Sequence, residues 1–371
     1  MAPDDSSLAP LARARARRDP VRVAIIGGGI MGCACAEALA ERGASVTLLE
    51  RAVPGAEASS AAAGILGAQV ESHATPELRS TFVAARGLYA GWSESLREST
   101  GVDIGYRKTG VVRVAFDDAG AVTLAHEARE HAGEGLAAAL LGADDIQRIE
   151  PETSRAAVAG LHFADDGQVD PRSLLRALVV RMARLGVTQR SGTIVRSVLV
   201  SHDVCRGVVL EDGSLDADAV VLAAGSWSSL VAGIPRDLPA VTPARGQMVL
   251  LEERPSRTRS ILFGPGGYVV PRGDGRVLCG STLEHIGYRR EVTAGGVSSI
   301  LTHSIALVPS LASAEFADVW ASFRPQSSSA KPLVGASSVP GLFLATGHHR
   351  NGILLAKYSA NLVADAVFAA A

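Results

Sequence analysis

The residues with the clearest chemical potential are three glycines. Gly27, Gly29 and Gly32 fall at the spacing G-x-G-x-x-G within Gly27-Gly28-Gly29-Ile30-Met31-Gly32. At that spacing the first glycine permits a tight turn, the second lets backbone approach a pyrophosphate, and the third lets a helix pack closely on a strand. Glu50 follows 18 residues after Gly32. A carboxylate there accepts hydrogen bonds from a ribose diol and disfavours a 2′-phosphate. The elements that must hold these groups are legible on either side. Residues 21–26 are rich in β-branched side chains and apolar apart from Arg22, as a buried strand requires. The segment Ile30–Glu41 predicts a helix whose first amides face the phosphates, with Gly43 closing its far end. Ser45–Leu49 predicts a second strand ending at Glu50. The glycine pattern alone is weak evidence. Framed by two strands, a helix and a terminal acid, it reads as a dinucleotide site rather than a plain glycine-rich turn.

The next segment distinguishes FAD from NAD. Residues 57–66, Glu57-Ala58-Ser59-Ser60-Ala61-Ala62-Ala63-Gly64-Ile65-Leu66, are a run of mostly small side chains just after the second strand. A flavin is bulky and its pyrophosphate extended, so backbone has to pass close beside both. An ordinary Ala-rich helix is the competing reading of this run. Far downstream, residues 217–227 predict another buried parallel strand ending in small residues. A strand that returns to the same sheet after a long insertion suits an FAD domain better than a simple NAD domain.

With these segments in view, the chain resembles the D-amino-acid-oxidase-like FAD-dependent oxidoreductases, most closely their glycine-oxidase branch linked to thiamine biosynthesis. The likeness spans residues 21–368. It rests on the fingerprint with Glu50, on residues 57–66, on Asp165-Asp166-Gly167-Gln168-Val169-Asp170-Pro171, and on Gly347-His348-His349-Arg350-Asn351-Gly352-Ile353-Leu354-Leu355. The resemblance implies an α/β fold: a Rossmann-type FAD-binding domain with an interleaved substrate domain on a mixed, largely antiparallel sheet. It assigns residues 21–100, 161–232 and 332–371 to the FAD domain, and 101–160 and 233–331 to the substrate domain. Tyr268-Val269-Val270-Pro271 and Arg276-Val277-Leu278-Cys279-Gly280 predict a hairpin of the second sheet, turned at Gly273-Asp274-Gly275.

Carried over by position, the resemblance puts FAD contacts on Ile30, Met31, Glu50, Arg51, Ser59, Ala63, Gly64, Ile65, Val195, His348, His349, Arg350, Asn351, Gly352, Ile353 and Leu354, beside the fingerprint glycines. It puts substrate contacts on Tyr268, Arg324 and Arg350. Lys357 stands where a proline is usual, and residues 325–331 lack a usual Asp-Gly; both departures are expected near the site. Oxidising an amine with a flavin requires the Cα–H aimed at the ring, a neutral amine, and stabilisation of the reduced flavin's charge. Arg324 suits the first requirement, since its planar fork fixes both oxygens of a carboxylate. Tyr268 adds a hydroxyl to the same carboxylate. A helix opening near Asn351-Gly352 would point its positive end at the ring edge where charge develops, with only a bare backbone fitting there. His348 reads as structural or flavin-contacting rather than as a general base. Asp165, Asp166 and Asp170 read as loop acids and a helix cap.

Composition limits the alternatives. At 371 residues with 47% hydrophobic and 20% charged, the chain suits two connected globular domains. A net charge of −2 offers no basic field for nucleic acid or anionic membrane. No apolar run reaches the roughly 20 residues expected of a membrane span. Four cysteines, Cys33, Cys35, Cys205 and Cys279, form no CxxC or His/Cys cluster, so reduced thiols, no metal site and a cytoplasmic location are expected. No cysteine follows Cys279, so the FAD is expected to be non-covalent. Residues 1–20, Ala/Arg-rich with an Arg17-Arg18 pair, read as a disordered tail because no cleavable apolar region is present. The expected activity is oxidative deamination of a small amino acid by O2. A dehydrogenase serving a quinone or carrier, and a non-catalytic flavin-binding subunit, are the alternatives. A homo-oligomer is compatible with this reading.

Overall fold

The computed structural model describes residues 19–71 and 75–371. Most of the expected N-terminal tail lies outside the described residues. The fingerprint strand β1 (Arg22–Ile26), one residue shorter than expected, is followed by helix α1 (Ile30–Glu41) and strand β2 (Ser45–Leu49), both with the bounds the sequence predicts. Gly43, just past the helix, takes φ +88°, which a side chain would resist.

β1 lies at the heart of a six-stranded sheet. The strands run in the order Leu333–Ala336, Leu342–Thr346, Ala219–Leu222, β1, β2, Thr188–Arg190. All neighbours are parallel except the first pair. Both faces of β1 are covered from Val23 onward, which is why residues 23–26 are a continuous apolar run, while Arg22 at its start is exposed. Val23 and Ile25 pack with α1, the helix Pro171–Arg184 and the C-terminal helix Gly352–Ala370. Ala24 and Ile26 pack on the other face against Val198, Cys205 and Val208. Those three residues belong to a three-stranded antiparallel sheet built from Val195–Ser201, Val204–Leu210 and Ser214–Asp216.

The second large sheet has eight strands. Its order is Glu315–Ser327, Val241–Glu252, Arg276–Gly280, Gly267–Pro271, Ile261–Gly264, Val111–Ala115, Ala159–Phe163, Ala139–Gly142. Every pairing is antiparallel save Ile261–Gly264 with Val111–Ala115. This is the mixed, largely antiparallel sheet the resemblance implies. The expected hairpin forms within it, Gly267–Pro271 pairing with Arg276–Gly280 across Gly273 (φ +76°) and Gly275 (φ +98°). The residues around 160 fall inside Ala159–Phe163, a strand of this sheet.

One helix bears on the expectation that the chain carries no membrane span. The C-terminal helix is long and apolar enough, by length and composition, to cross a bilayer. Alanine and serine, interrupted by Lys357 and Asp365, make that run inconspicuous in the sequence. Its residues Ile353, Leu354, Leu355, Ala356, Ala360, Val363 and Val367 are buried in the core shared with α1. It is a core helix. The four cysteines are buried and unbridged.

Candidate active site

A cavity of about 470 Å³ runs from the C-terminal edge of the six-stranded sheet to the face of the eight-stranded one. This is within the roughly 300–1,000 Å³ typical of ligand pockets. Its first end is the glycine turn. Gly27 takes φ +105°, and a Cβ there would stand 2.6 Å from the carbonyl oxygen of Ala223. A Cβ on Gly32 would lie 1.9 Å from the Gly27 carbonyl, so the helix can sit this close to the strand only without one. Gly29 caps α1 with no side-chain cap bond; instead the Ile30 amide donates to Ser59 Oγ at 2.9 Å. Glu50 accepts from the amides of Gly28 (2.7 Å) and Ala52 (2.8 Å), which fixes its carboxylate at the cavity wall. Arg51 lies 3.8 Å over the ring of Trp227 and pairs with Glu57 at 2.6 Å.

The far end is cationic. Arg324, on the edge strand Glu315–Ser327, donates to Ser281 Oγ (2.8 Å) and the Thr282 carbonyl (3.1 Å). Those bonds leave guanidinium donors for a ligand. Ala244 pairs with Arg324 across the sheet, and a Cβ on nearby Gly246 would stand 2.2 Å from Arg324 Nη1. Gly246 therefore lets the guanidinium lie flat over the neighbouring strand. Burial lowers the Arg324 pKa, and the nearby Tyr268, Arg350 and Glu71 also act on it. Tyr268 donates to Met248 Sδ at 3.4 Å. Arg350 Nε lies 3.0 Å from Glu71 Oε2, and this carboxylate raises the arginine's pKa.

Two histidines close the middle. His348 is 2% exposed; its Nε2 pairs with Ser359 Oγ at 3.0 Å, while Nδ1 has no partner among the described residues. Burial pushes its pKa down to about 3. His349 has φ +48° and an unpartnered Nε2. Burial first, then Arg324 and Arg350, push it down to about 4. Both rings are neutral near pH 7.

Against this geometry the comparisons with known proteins are consistent. Residues 22–366 match the family described as FAD dependent oxidoreductase. The chain belongs to that family. Its cofactor is FAD. The glycine oxidase of Geobacillus kaustophilus is 34% identical, over 93% of this chain and 92% of its own. The solved structure of glycine oxidase from that organism superposes with a TM-score of 0.88, covering 94% and 95%. That of the Bacillus cereus enzyme gives 0.89 at 30% identity, with the same coverage. The bifunctional protein ThiO/ThiG of Synechocystis is 34% identical over 93% of this chain. The chain spans about half the length of that relative.

The residues of this oxidoreductase fit FAD. The cradle of Gly27, Gly29 and Gly32 stands where a Cβ would intrude, and His348, whose Nδ1 has no partner among the described residues, lines the cavity. Gly352 takes an ordinary backbone conformation and has no protein atom nearer than 3.8 Å to a Cβ, so the reason for glycine there lies in the cavity. The C-terminal helix begins at this point with Asn351 as N-cap and no side-chain cap bond. Two helix N-termini thus open on the same cavity, each carrying partial positive charge.

Most of the expected site residues converge. Gly27, Gly29, Ile30, Met31, Glu50, Arg51, Ser59, Ala63, Gly64, Ile65 and Val195 line the cavity, as do Tyr268, Arg324, His348, His349, Arg350, Gly352 and Ile353. Three stand apart. Gly32 is packed between helix and strand, Asn351 borders a second cavity, and Leu354 points into the hydrophobic core. One helical step past Ile353 turns Leu354 away from the cavity. Lys357, expected near the site, instead points at α1 and pairs with the buried Glu37 at 3.0 Å. Asp170 caps the helix Pro171–Arg184 as expected. Asp166 does more than a loop acid: fully buried, it accepts from the amides of Ala68, Gln69 and Val70 and pairs with Arg86. Glu71 and Trp227 line the cavity without having been singled out. Glu71 stands five residues after the small-residue segment ends at Leu66, and nothing local marks it as the partner of Arg350.

Proposed function

We propose that this enzyme oxidatively deaminates a small amino acid, namely glycine, sarcosine or a short D-amino acid. Glycine, O2 and water would yield glyoxylate, ammonia and H2O2. The observation that carries the reading is Arg324: a half-buried guanidinium with donors to spare at the end of a cavity whose other end is a dinucleotide cradle. The names of the glycine oxidase relatives support it. Bound FAD would accept the hydride and return the electrons to oxygen.

The chain's own residues would do the rest. Arg324 forks the substrate carboxylate and Tyr268 donates a hydroxyl to it, so only one hand of a chiral acid directs its amine to the polar side. Arg350 and the neutral His349 border that side. Neither histidine is needed as a base if the amine binds neutral. The six-stranded layer serves the cofactor and the eight-stranded sheet serves the substrate. A role supplying the thiazole precursor of thiamine rests on the ThiO/ThiG relatives. The unbridged thiols support a cytoplasmic location, and self-association is left to a sedimentation measurement. The test is steady-state peroxide release across glycine, sarcosine, D-alanine, D-proline, D-phenylalanine and L-alanine. Preference for the L-isomer, activity only on bulky D-amino acids, or turnover with a quinone but without peroxide would overturn the reading.

A further inference from the structure

We propose that Glu71 restricts this site to substrates with a single carboxylate, by charge rather than by size. The inference rests on the reading of Arg324 as the carboxylate anchor. Arg324, Arg350 and Glu71 border both the main cavity and a second one of about 710 Å³ that continues past them. The Glu71 carboxylate sits 3.0 Å from Arg350 Nε and is 11% exposed. His349 beside them is neutral at pH 7, its pKa held low by burial. The two guanidiniums and one carboxylate therefore leave one positive charge. One substrate carboxylate cancels it once the amine is neutral.

A second carboxylate would meet Glu71, and like charges juxtaposed away from solvent repel strongly. The backbone leading into Glu71 is held in place, and its carboxylate is held by Arg350. The three residues before it are tied by their amides to buried Asp166, at 3.0, 3.1 and 3.0 Å. Space is not what excludes a longer substrate. The second cavity is bordered on one side by Gly264-Pro265-Gly266-Gly267, which project little side chain into it, and elsewhere by Arg113 and Asp117, whose charges oppose each other. A neutral substituent of the right length fits where a charged one is rejected.

The test uses the FAD-loaded enzyme and reads ligand binding from the visible absorption of the bound flavin. Wild type should bind monomethyl malonate at least tenfold more tightly than malonate, two ligands of similar length that differ by one charge. Glu71→Gln should raise the malonate-to-acetate affinity ratio at least tenfold, and Glu71→Asp should leave it near wild type. The kcat/KM ratio of iminodiacetate to sarcosine should move in the same direction. Equal binding of malonate and its monomethyl ester by wild type would overturn the proposal. So would an unchanged ratio in Glu71→Gln, or an equal rise in Glu71→Asp. The wild-type comparison stands even if Glu71→Gln loses FAD. Failure of wild type to oxidise sarcosine or glycine would sink the functional reading instead, because the binding ratios need no turnover.

Discussion

Arg324 donates from Nη1 to the Thr282 carbonyl and from Nη2 to Ser281 Oγ, which leaves part of its donor fork for a ligand. A guanidinium with spare donors in a desolvated wall is poised for an anion. Truncating one partner of such a pair typically costs roughly 2–5 kcal/mol. Arg324→Ala should therefore lower kcat/KM for glycine by about 30- to several-thousand-fold while FAD content stays near wild type. A variant that oxidises glycine normally would refute the anchor. His348 makes a separate prediction. Its folded-state pKa of about 3 lies below the ordinary value of 6.5. The unfolded chain therefore binds the extra proton first, and stability is lost as pH falls from about 6.5 towards 3. In His348→Asn the thermal midpoint should fall less steeply with acid than in wild type. Parallel curves would show that this ring does not carry the dependence.

Helix α1 works as an element because its first turn meets two things at once. The Gly27 carbonyl leaves no room for a Cβ at Gly32, and the Ile30 amide is taken by Ser59 from a segment 29 residues away. Gly32→Ala would force helix and turn apart, since the obstructing atoms are backbone. The purified variant should carry little FAD and melt below wild type. Ser59→Ala removes one acceptor at a helix N-terminus, a change worth roughly 0.5–2 kcal/mol. It should weaken FAD about 2- to 30-fold in an equilibrium titration of apoprotein. An unchanged dissociation constant would mean that Ser59 serves the loop alone.

Across the whole molecule, the cavity wall is drawn from residues between Ile26 and Ile353. The two large sheets meet there: Trp320 of the eight-stranded sheet donates to the carbonyl of Ala61 beside the cofactor cradle, at 3.0 Å. A ligand held by segments this distant stabilises them jointly. Free FAD at 100 times its dissociation constant should add about 2.7 kcal/mol to stability, and the apoprotein should melt several degrees lower. Since Cys279 and the other cysteines are buried, acid precipitation should release all yellow colour as FAD. Colour kept on the pellet would contradict a non-covalent cofactor.

The sequence by itself determined the parts whose physics is local. β1, α1 and β2 are set by β-branched runs, glycine spacing and the Gly43 stop, and their limits agree with the structure except that β1 begins one residue later, at Arg22. The hairpin over Gly273 and Gly275 was legible for the same reason, because a turn needing positive φ advertises itself in glycine. Arg324, Tyr268 and Arg350 were legible through resemblance, with the apolar neighbours of Arg324 as the one local sign that it is more than a surface cation. What the tertiary structure decided depends on register between distant strands and on packing. Gly246 lies under Arg324 because Ala244 pairs with Arg324 in the sheet. Glu71 meets Arg350 because buried Asp166 gathers the 68–70 amides. Leu354 and Lys357 turn from the cavity because the helical rotation, anchored by a core shared with α1, puts them on other faces. Local preference acts over a few residues, whereas these placements depend on chain segments tens to hundreds of residues apart, so only the folded chain could decide them.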